Sequence, residues 1–436
     1  MNRLSLIFIA LITVIGLSPA FAGKKAIEEH PGRPLTITEL AAMAYESNPS
    51  ILAARKRWQG KVEQYNISTA YPDPQFMVTY YPDPIETRLG PQDWNAVISQ
   101  RVPFPGKLGT KGRIIETDAR MARLALDKTV RDVTARVVKS FQELCYIQQA
   151  KEIAAKNAGL LDQLGSMGES AYAQERAALT DVVKSQSQAA QLRYDILLLQ
   201  ELEKTEKTRL NGLVNRQPEA FIGNLDPLPV KPVVYDLQTL YAMAEKNQEA
   251  IQMAGLEVKQ AETRKELARY EAFPDFKVGL FYAGIGERDA DIADSGRDAL
   301  GVQFGVSLPL WFGKNRSRKL AALAAKQEKE AIREVKVNGL RTDIHTLFFK
   351  LENARRLITL YRDEMIPQAL NALKTSETWF RQGEGSFSDF VEAQAAAYNF
   401  QLSLARARAD YGKVLADLER LAGESLTRRK PGGGGK

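Results

Sequence analysis

The stretch ALGVQFGVSLPLW, residues 299–311, alternates large apolar residues with small or polar ones. In an extended chain, successive side chains point to opposite faces, so the two sets separate. One face would carry Leu300, Val302, Phe304, Val306 and Leu308, and the other Gly301, Gln303, Gly305 and Ser307. Strict alternation over about ten residues is typical of a membrane-spanning strand. Amphipathic hairpins of a soluble protein, packed on helices, are the alternative, because a single alternating strand is a weak signal.

Three further segments resemble this one, which makes four candidate strands. DFKVGLFYAG (275–284) alternates likewise, and noisier segments contain Phe76, Val78 and Tyr80, then Ala96, Ile98 and Val102. Aromatic residues of the kind found at membrane interfaces lie near the strand ends: Tyr80, Tyr81, Trp94, Tyr282, Trp311 and Phe312. Four strands cannot close a barrel, and lipid cannot satisfy an open sheet edge. The sequence therefore predicts a barrel shared between copies: eight strands from two copies, or twelve from three, wide enough for a channel.

The strands belong to a unit that occurs twice in the chain. LAAMA (40–44) matches LYAMA (240–244), YPDPQF (71–76) matches FPDF (273–276), and VPFPGK (102–107) matches LPLWFGK (308–314). In each copy we predict a helix (38–70 and 237–272), then a hairpin, then a very long helical region. The predicted organisation is a first repeat at 23–221, a proline-rich linker at 222–234, a second repeat at 235–426 and a disordered tail at 427–436.

The helical regions dominate the expected fold, which is mainly α with a small β part. Residues 107–217 contain no proline and are rich in helix-forming residues. At about 1.5 Å per residue, residues 112–164 alone would span about 80 Å, far beyond an ordinary globular helix. Coiled-coil-like packing of long helices is therefore expected.

A helix-turn-acid pattern also occurs in both copies, as RQGEGSFSDFVEAQ (381–394) and AQERAALTDVVKSQ (173–186). Asp389 follows Ser386 by three residues, the spacing of a capping box, and Glu392 follows on the same face. Asp181 is the first-copy equivalent of Asp389, and Lys184 replaces the second acid. A purely structural interpretation is that Asp389 stabilises a helix N-terminus by ~0.5–1 kcal/mol.

The N-terminus and the composition indicate an exported protein without an enzymatic site. Arg3, an apolar run at 4–17 and Ala20-Phe21-Ala22 predict a signal peptide at 1–22, with Gly23 as the mature N-terminus. The net charge of +7 is spread along helices and argues against nucleic-acid binding. The single cysteine, Cys145, excludes an intrachain disulfide, and the two histidines are not at ligand spacing. No catalytic, cofactor or metal site is expected.

The duplicated helix–hairpin–long-helix unit, with Gly-Lys before each long helix, resembles the TolC family of outer-membrane efflux proteins. The resemblance implies a homotrimer of a Gram-negative bacterium, with a twelve-stranded barrel in outer-membrane lipid and an α-helical tunnel across the periplasm. It also implies an adaptor protein and an inner-membrane pump as partners. Residues 99–113 (SQRVPFPGKLGTKGR) are most similar to the heavy-metal efflux branch. Two features depart from the family: Glu175-Arg176-Ala177 stands where a glycine is usual, and no N-terminal cysteine is available for acylation.

The same resemblance implies two sets of functional residues. Asp389, Glu392 and Asp181 would form the periplasmic gate and set selectivity, and Gly383, Gly385, Ser386 and Leu179 would form the hairpin tip that meets the adaptor. Three copies of Asp389 and Glu392 would place six carboxylates near the narrow end of the tunnel, which favours cations. The expected function is a passive exit duct of a tripartite efflux system for small solutes, such as heavy-metal cations or drugs. The alternatives are the exit duct of a protein-secretion system and an exported coiled-coil scaffold without a pore.

Overall fold

The computed structural model describes residues 33–288 and 293–427. The expected signal peptide and, apart from Thr427, the expected tail lie outside the described residues. Within them, one order of elements occurs twice. The first series is α1 (Ile37–Ser47), α2 (Pro49–Thr69), β1 (Gln75–Thr87), β2 (Gly90–Val102), α3 (Lys107–Ala173) and α4 (Leu179–Leu213). The second is α5 (Leu237–Asn247), α6 (Glu249–Tyr270), β3 (Asp275–Ile285), β4 (Ala299–Ser307), α7 (Phe312–Leu360), a π-helical turn (Tyr361–Met365), α8 (Ile366–Gln382) and α9 (Phe387–Ala422).

The prediction of a single helix before each hairpin is wrong, because the structure has two helices there, separated at one residue. Asn48 separates α1 from α2, and Gln248 separates α5 from α6, both in extended backbone. Asn48 precedes Pro49, which disfavours the helical conformation of the residue before it. The Asn48 side chain then accepts a hydrogen bond from the Ser50 N–H at 2.9 Å and caps α2. Gln248 caps α6 in the same way, through the Ile251 N–H at 3.0 Å.

The long helices agree with the sequence in the first copy and differ in detail in the second. Helix α3 has 67 residues and at about 1.5 Å per residue is about 100 Å long. Its counterpart, α7, has 49 residues and continues into α8 through the π-helical turn. Pro367, two residues after this turn, has no N–H to donate to the preceding turn, which explains the widened segment. None of the described helices is long and apolar enough to span a lipid bilayer.

The four strands form one antiparallel sheet in the order β1-β2-β3-β4. Directly paired residues lie on one face, and the register places apolar residues in continuous rows across it. One row is Val78, Ala96, Tyr282 and Leu300, and the next is Phe76, Ile98, Leu280 and Val302. This face is open: Leu300 is 77% exposed, Val302 76% and Phe304 70%. Strands β1 and β4 each have one neighbour in the described chain, so both outer edges are unpaired.

Three buried clusters hold the helices together. One packs α1, α2 and α4 on α3 around Leu40, Leu144 and Leu210, and another packs α5 and α7 on α9 around Leu240, Leu351 and Leu418. The third joins α3, α4, α8 and α9. Residues 221–234, between the two series, contain no helix or strand but are docked, because Ile222 and Leu225 are buried in the first cluster.

Candidate functional site

The two helix-turn-acid segments, 208 residues apart in sequence, form adjacent tips in the structure. The α3–α4 turn lies beside the α8–α9 turn. Arg176, in the first turn, donates a hydrogen bond to the Phe380 carbonyl oxygen near the end of α8 at 3.4 Å. Further along, the Lys184 Nζ on α4 lies 3.2 Å from a carboxylate oxygen of Glu392 on α9. The repeats therefore build one composite tip from four helices.

The backbone of the two turns is similar even though only one of them contains glycine. Gly383 ends α8 with φ +82°, a left-handed conformation that glycine adopts without strain. Its equivalent, Glu175, lies just after the C-cap of α3 and has φ +59°. Gly385 is needed for a different reason, because an added Cβ would lie 2.9 Å from the Trp379 Cβ. The first copy thus forms the same turn without a glycine, and Glu175 adopts the left-handed backbone conformation in its place.

Aromatic packing fixes the second tip from inside. The Phe380 ring centroid lies 5.2 Å from that of Phe387 and 6.3 Å from that of Phe390, and all three side chains are buried. Phe387, the first residue of α9, is 1% exposed, whereas its first-copy equivalent Leu179 is 54% exposed. Tyr172, Val183 and Trp379 are also largely exposed at this end. The second tip buries its phenylalanines in a core shared with α3 and α4. Both tips also present apolar side chains to solvent: Tyr172, Leu179 and Val183 in the first, and Trp379 in the second.

The acids predicted from the sequence lie at this end of the molecule in different surroundings. Ser386 Oγ accepts a hydrogen bond from the Asp389 N–H at 3.0 Å, so this serine is the N-cap of α9. The Asp389 carboxylate is exposed and has no side-chain partner within the described residues. Asp181 is half-buried in the first turn of α4. Glu392 is exposed and is the acid that Lys184 pairs with.

The contact between Lys184 and Glu392 was not predicted from the sequence. The two residues occupy equivalent positions of the duplicated pattern, so their opposite charges were visible, but the adjacency of the two tips was not. Of Asp181, Asp389, Glu392 and Lys184, three side chains are acidic and one is basic. The ion pair therefore offsets one of the three negative charges. The buried hydrogen bond between Gln394 and Asn157, just above the tip, was also not predicted.

Away from the tips, Glu203 and Cys145 have pKa values that their packing and hydrogen bonds shift. Burial alone would raise the pKa of Glu203, but hydrogen bonds from Lys151, Lys207 and Gln148 outweigh it and lower the pKa to about 2. Burial raises the pKa of the Cys145 thiol to about 12, so this thiol is unreactive. Among the described residues, no group of three or more histidine, cysteine, aspartate or glutamate side chains is placed to hold a metal ion.

Comparison with known proteins finds one family model that matches part of the chain and several solved structures with a similar fold. Residues 240–424 match the family model described as outer membrane efflux protein. No curated protein sequence matches the chain significantly. Among solved structures, the outer-membrane channel OprN is 17% identical with a TM-score of 0.74, covering 90% of this chain and 91% of its own.

Two further structures are similar over the same extent. VceC, an outer membrane protein of Vibrio cholerae, is 18% identical with a TM-score of 0.74, covering 89% of this chain and 96% of its own. CusC, described with respect to transmembrane channel formation, is 13% identical with a TM-score of 0.74, covering 89% and 93%. These matches confirm the expected fold, mainly α with a small antiparallel sheet, whereas the closed barrel and the trimer stay predictions. The finer resemblance of residues 99–113 to the heavy-metal branch stays a prediction.

Proposed function

We propose that this chain forms the exit duct of a tripartite efflux system. The premise is that its second repeat belongs to the outer membrane efflux protein family. Membership of that family carries an outer-membrane location in a Gram-negative bacterium, with the helices extending into the periplasm. The observation that carries the proposal is the exposed apolar face of the four-stranded sheet, in a chain whose helix α3 is about 100 Å long. Water disfavours such a face, and lipid favours it.

The duct requires more than one copy of the chain. The two unpaired edges of the sheet would each leave backbone groups unsatisfied in lipid, at a cost of several kcal/mol per group. Three copies supply twelve strands, and a barrel of that size encloses a channel. The long helices of three copies would continue this channel as a tunnel. The duct is passive: an inner-membrane pump drives transport, and an adaptor joins pump and duct.

The first prediction is a stable threefold oligomer that conducts ions. Native mass spectrometry in detergent should show trimers, and the purified protein should form discrete channels in planar bilayers. Heat-modifiable migration in gels should accompany this. A folded monomer that forms no channel would contradict the duct and favour the coiled-coil scaffold. Growth of a deletion strain on a panel of metals, dyes and detergents would identify the cargo, and defective protein export instead would favour the secretion duct.

At the periplasmic mouth, we assign selectivity to Asp389, Glu392 and Asp181. Threefold repetition would concentrate their charge around one axis, and a focused negative potential attracts cations. Because Lys184 offsets Glu392 in each copy, Asp389 contributes more to the potential than Glu392 does. The Lys184–Glu392 ion pair also joins the two tips of one chain. Opening of the mouth would therefore either break this ion pair or move both tips together.

The second prediction follows from this unequal pairing. Asp389→Ala should lower the cation selectivity of the channel more than Glu392→Ala, and the double variant should lower it most. Lys184→Ala should have the opposite sign and raise cation selectivity, because it unmasks Glu392. Single-channel reversal potentials in a salt gradient measure all four variants. If selectivity and block by multivalent cations stay unchanged while thermal stability falls, these acids only stabilise the first turns of α9 and its contact with α4.

The exposed first tip is suited to meet the adaptor. Gly383, Gly385 and Ser386 define the second turn, and exposed Leu179 lies at the start of α4 in the first. Exposed apolar side chains of this kind are the usual centre of a protein–protein contact. Docking opens the mouth only if the adaptor contacts the open state more strongly than the closed one.

A further inference from the structure

The joint between the two repeats within the chain is held by an ion pair and a ring contact. The Lys107 Nζ, just after β2, lies 2.7 Å from the Asp275 Oδ1 at the start of β3 and donates to the Phe273 carbonyl oxygen at 2.9 Å. Asp275 also accepts the Phe104 N–H at 3.0 Å. The Phe104 and Phe273 rings stack at 4.7 Å between centroids. This joint continues the β2–β3 pairing below the sheet.

Both halves of this joint occur a second time in the sequence. Phe273-Pro274-Asp275 is equivalent to Tyr71-Pro72-Asp73, which precedes β1. Gly106-Lys107 is equivalent to Gly313-Lys314, and counting back from the glycine makes Phe104 equivalent to Trp311. Each repeat thus carries an acidic, aromatic half before its hairpin and a basic, aromatic half after it.

The second set of halves lies at the two outer edges of the sheet. Its charged groups and rings have no partner in the described chain, although the Gln100 side chain donates a hydrogen bond to the Pro72 carbonyl oxygen at 2.7 Å. Asp73 and Lys314 are exposed and have no ion pair or side-chain hydrogen bond within the described residues. Tyr71 is 62% exposed and Trp311 is 75% exposed. The acidic half stands next to the free edge of β1, and the basic half stands next to the free edge of β4.

We propose that these free halves form the joint between copies of the chain: Lys314 pairs with Asp73 of the partner subunit, and Trp311 packs on Tyr71 of the partner subunit. The inference rests on the proposed function, because it uses the shared barrel. What is new is the set of residues that closes the barrel between copies. The joint is head-to-tail, so each copy uses its β4 side against the β1 side of the next, and the curvature of the barrel closes these contacts into a ring once the rotations between copies add up to a full turn.

The chemistry of the internal joint explains why the outer one would be selective. Lys107 is buried once it meets Asp275, so neither charge stays fully hydrated. A desolvated charge that lacks its partner is costly, and a partner of the same sign costs more. Complementary halves at the same end of the two outer edges therefore favour β4-to-β1 contacts, and a parallel β1-to-β1 or β4-to-β4 contact would juxtapose like charges.

A charge swap tests the joint. Asp73→Lys and Lys314→Asp alone should each lower the temperature at which the oligomer dissociates in SDS, because each places like charges at every joint. The double variant Asp73→Lys, Lys314→Asp should restore the dissociation temperature of the unmodified protein. The matched control is Asp73→Lys combined with Lys319→Asp, which changes the same charges. Lys319 is also exposed near the start of α7, but it lies five residues after Lys314 and on another face of the helix. This combination should therefore not restore the dissociation temperature.

The outcomes separate the joint from the function it rests on. A stable oligomer in which neither single change matters, or in which the Lys319→Asp control restores stability as well as Lys314→Asp does, overturns the proposed joint and leaves the duct standing. An unmodified chain that remains monomeric in detergent overturns both. Single variants that fail to assemble, with assembly recovered only in the true swap, support the joint.

Discussion

Phe304→Arg is expected to remove most of the protein from the outer membrane, while Gln303→Arg at the neighbouring position is expected to leave assembly intact. Phe304 lies near the middle of β4, is 70% exposed on the apolar face and stacks on Phe276 at 6.1 Å. Arginine on the lipid face of a membrane strand costs about 2–4 kcal/mol near the bilayer centre. An oligomer incurs this cost once per copy. Gln303 points to the opposite face, which would line the water-filled interior.

Quantitative immunoblotting of the outer-membrane fraction measures both variants under the same expression level. Unfolding of the purified proteins in lipid vesicles should show the same order. Equal recovery of the two variants would contradict the membrane sheet, because a sheet face that meets water accepts arginine on either side. That result would favour the soluble amphipathic hairpins.

Gly168→Leu is expected to loosen the composite tip, whereas Gly159→Ala on the same helix is expected to stabilise it. A Cβ added to Gly168 would lie 2.8 Å from the ring of Phe387, which is fully buried. Overpacking of this kind costs about 1–3 kcal/mol. Gly159 is exposed and an added Cβ would meet nothing within 4 Å, so alanine there gains about 0.5–1 kcal/mol from helix propensity.

Hydrogen exchange of the first turns of α9 distinguishes the two changes, since Phe387 is the first residue of that helix. Amides there should exchange faster in Gly168→Leu and unchanged or slower in Gly159→Ala, with Gly168→Ala intermediate. Faster exchange in both variants would mean that the helix tolerates no change near the tip, and the packing of Phe387 on Gly168 would not be the cause.

Much of the fold was readable from the sequence because its determining patterns are local. Period-two alternation in residues 299–308 identified a two-faced strand, and the 67-residue α3 follows from a long stretch without proline. The duplication predicted that both halves would contain the same elements in the same order. Capping of α9 by Ser386 also follows from a three-residue spacing. Each of these features depends on neighbours along the chain.

What only the tertiary structure decided depends on residues far apart in sequence. The helix break at Asn48 is marked locally by Pro49, but no proline marks the equivalent break at Gln248, where helix-forming composition continues. Glu175 adopts a left-handed conformation because the packing of the tip requires a turn there, although nothing in its own chemistry favours one.

The contacts between the repeats also needed the structure. Lys184 meets Glu392 across 208 residues, and Lys107 meets Asp275 across 168. A sequence pattern specifies which face a side chain occupies, but the neighbour on that face is chosen by how whole helices and strands pack. The sequence by itself therefore determined the elements and their two-fold repetition. Only the packed structure decided which charges pair, and hence which charges remain free for the mouth and for a second copy.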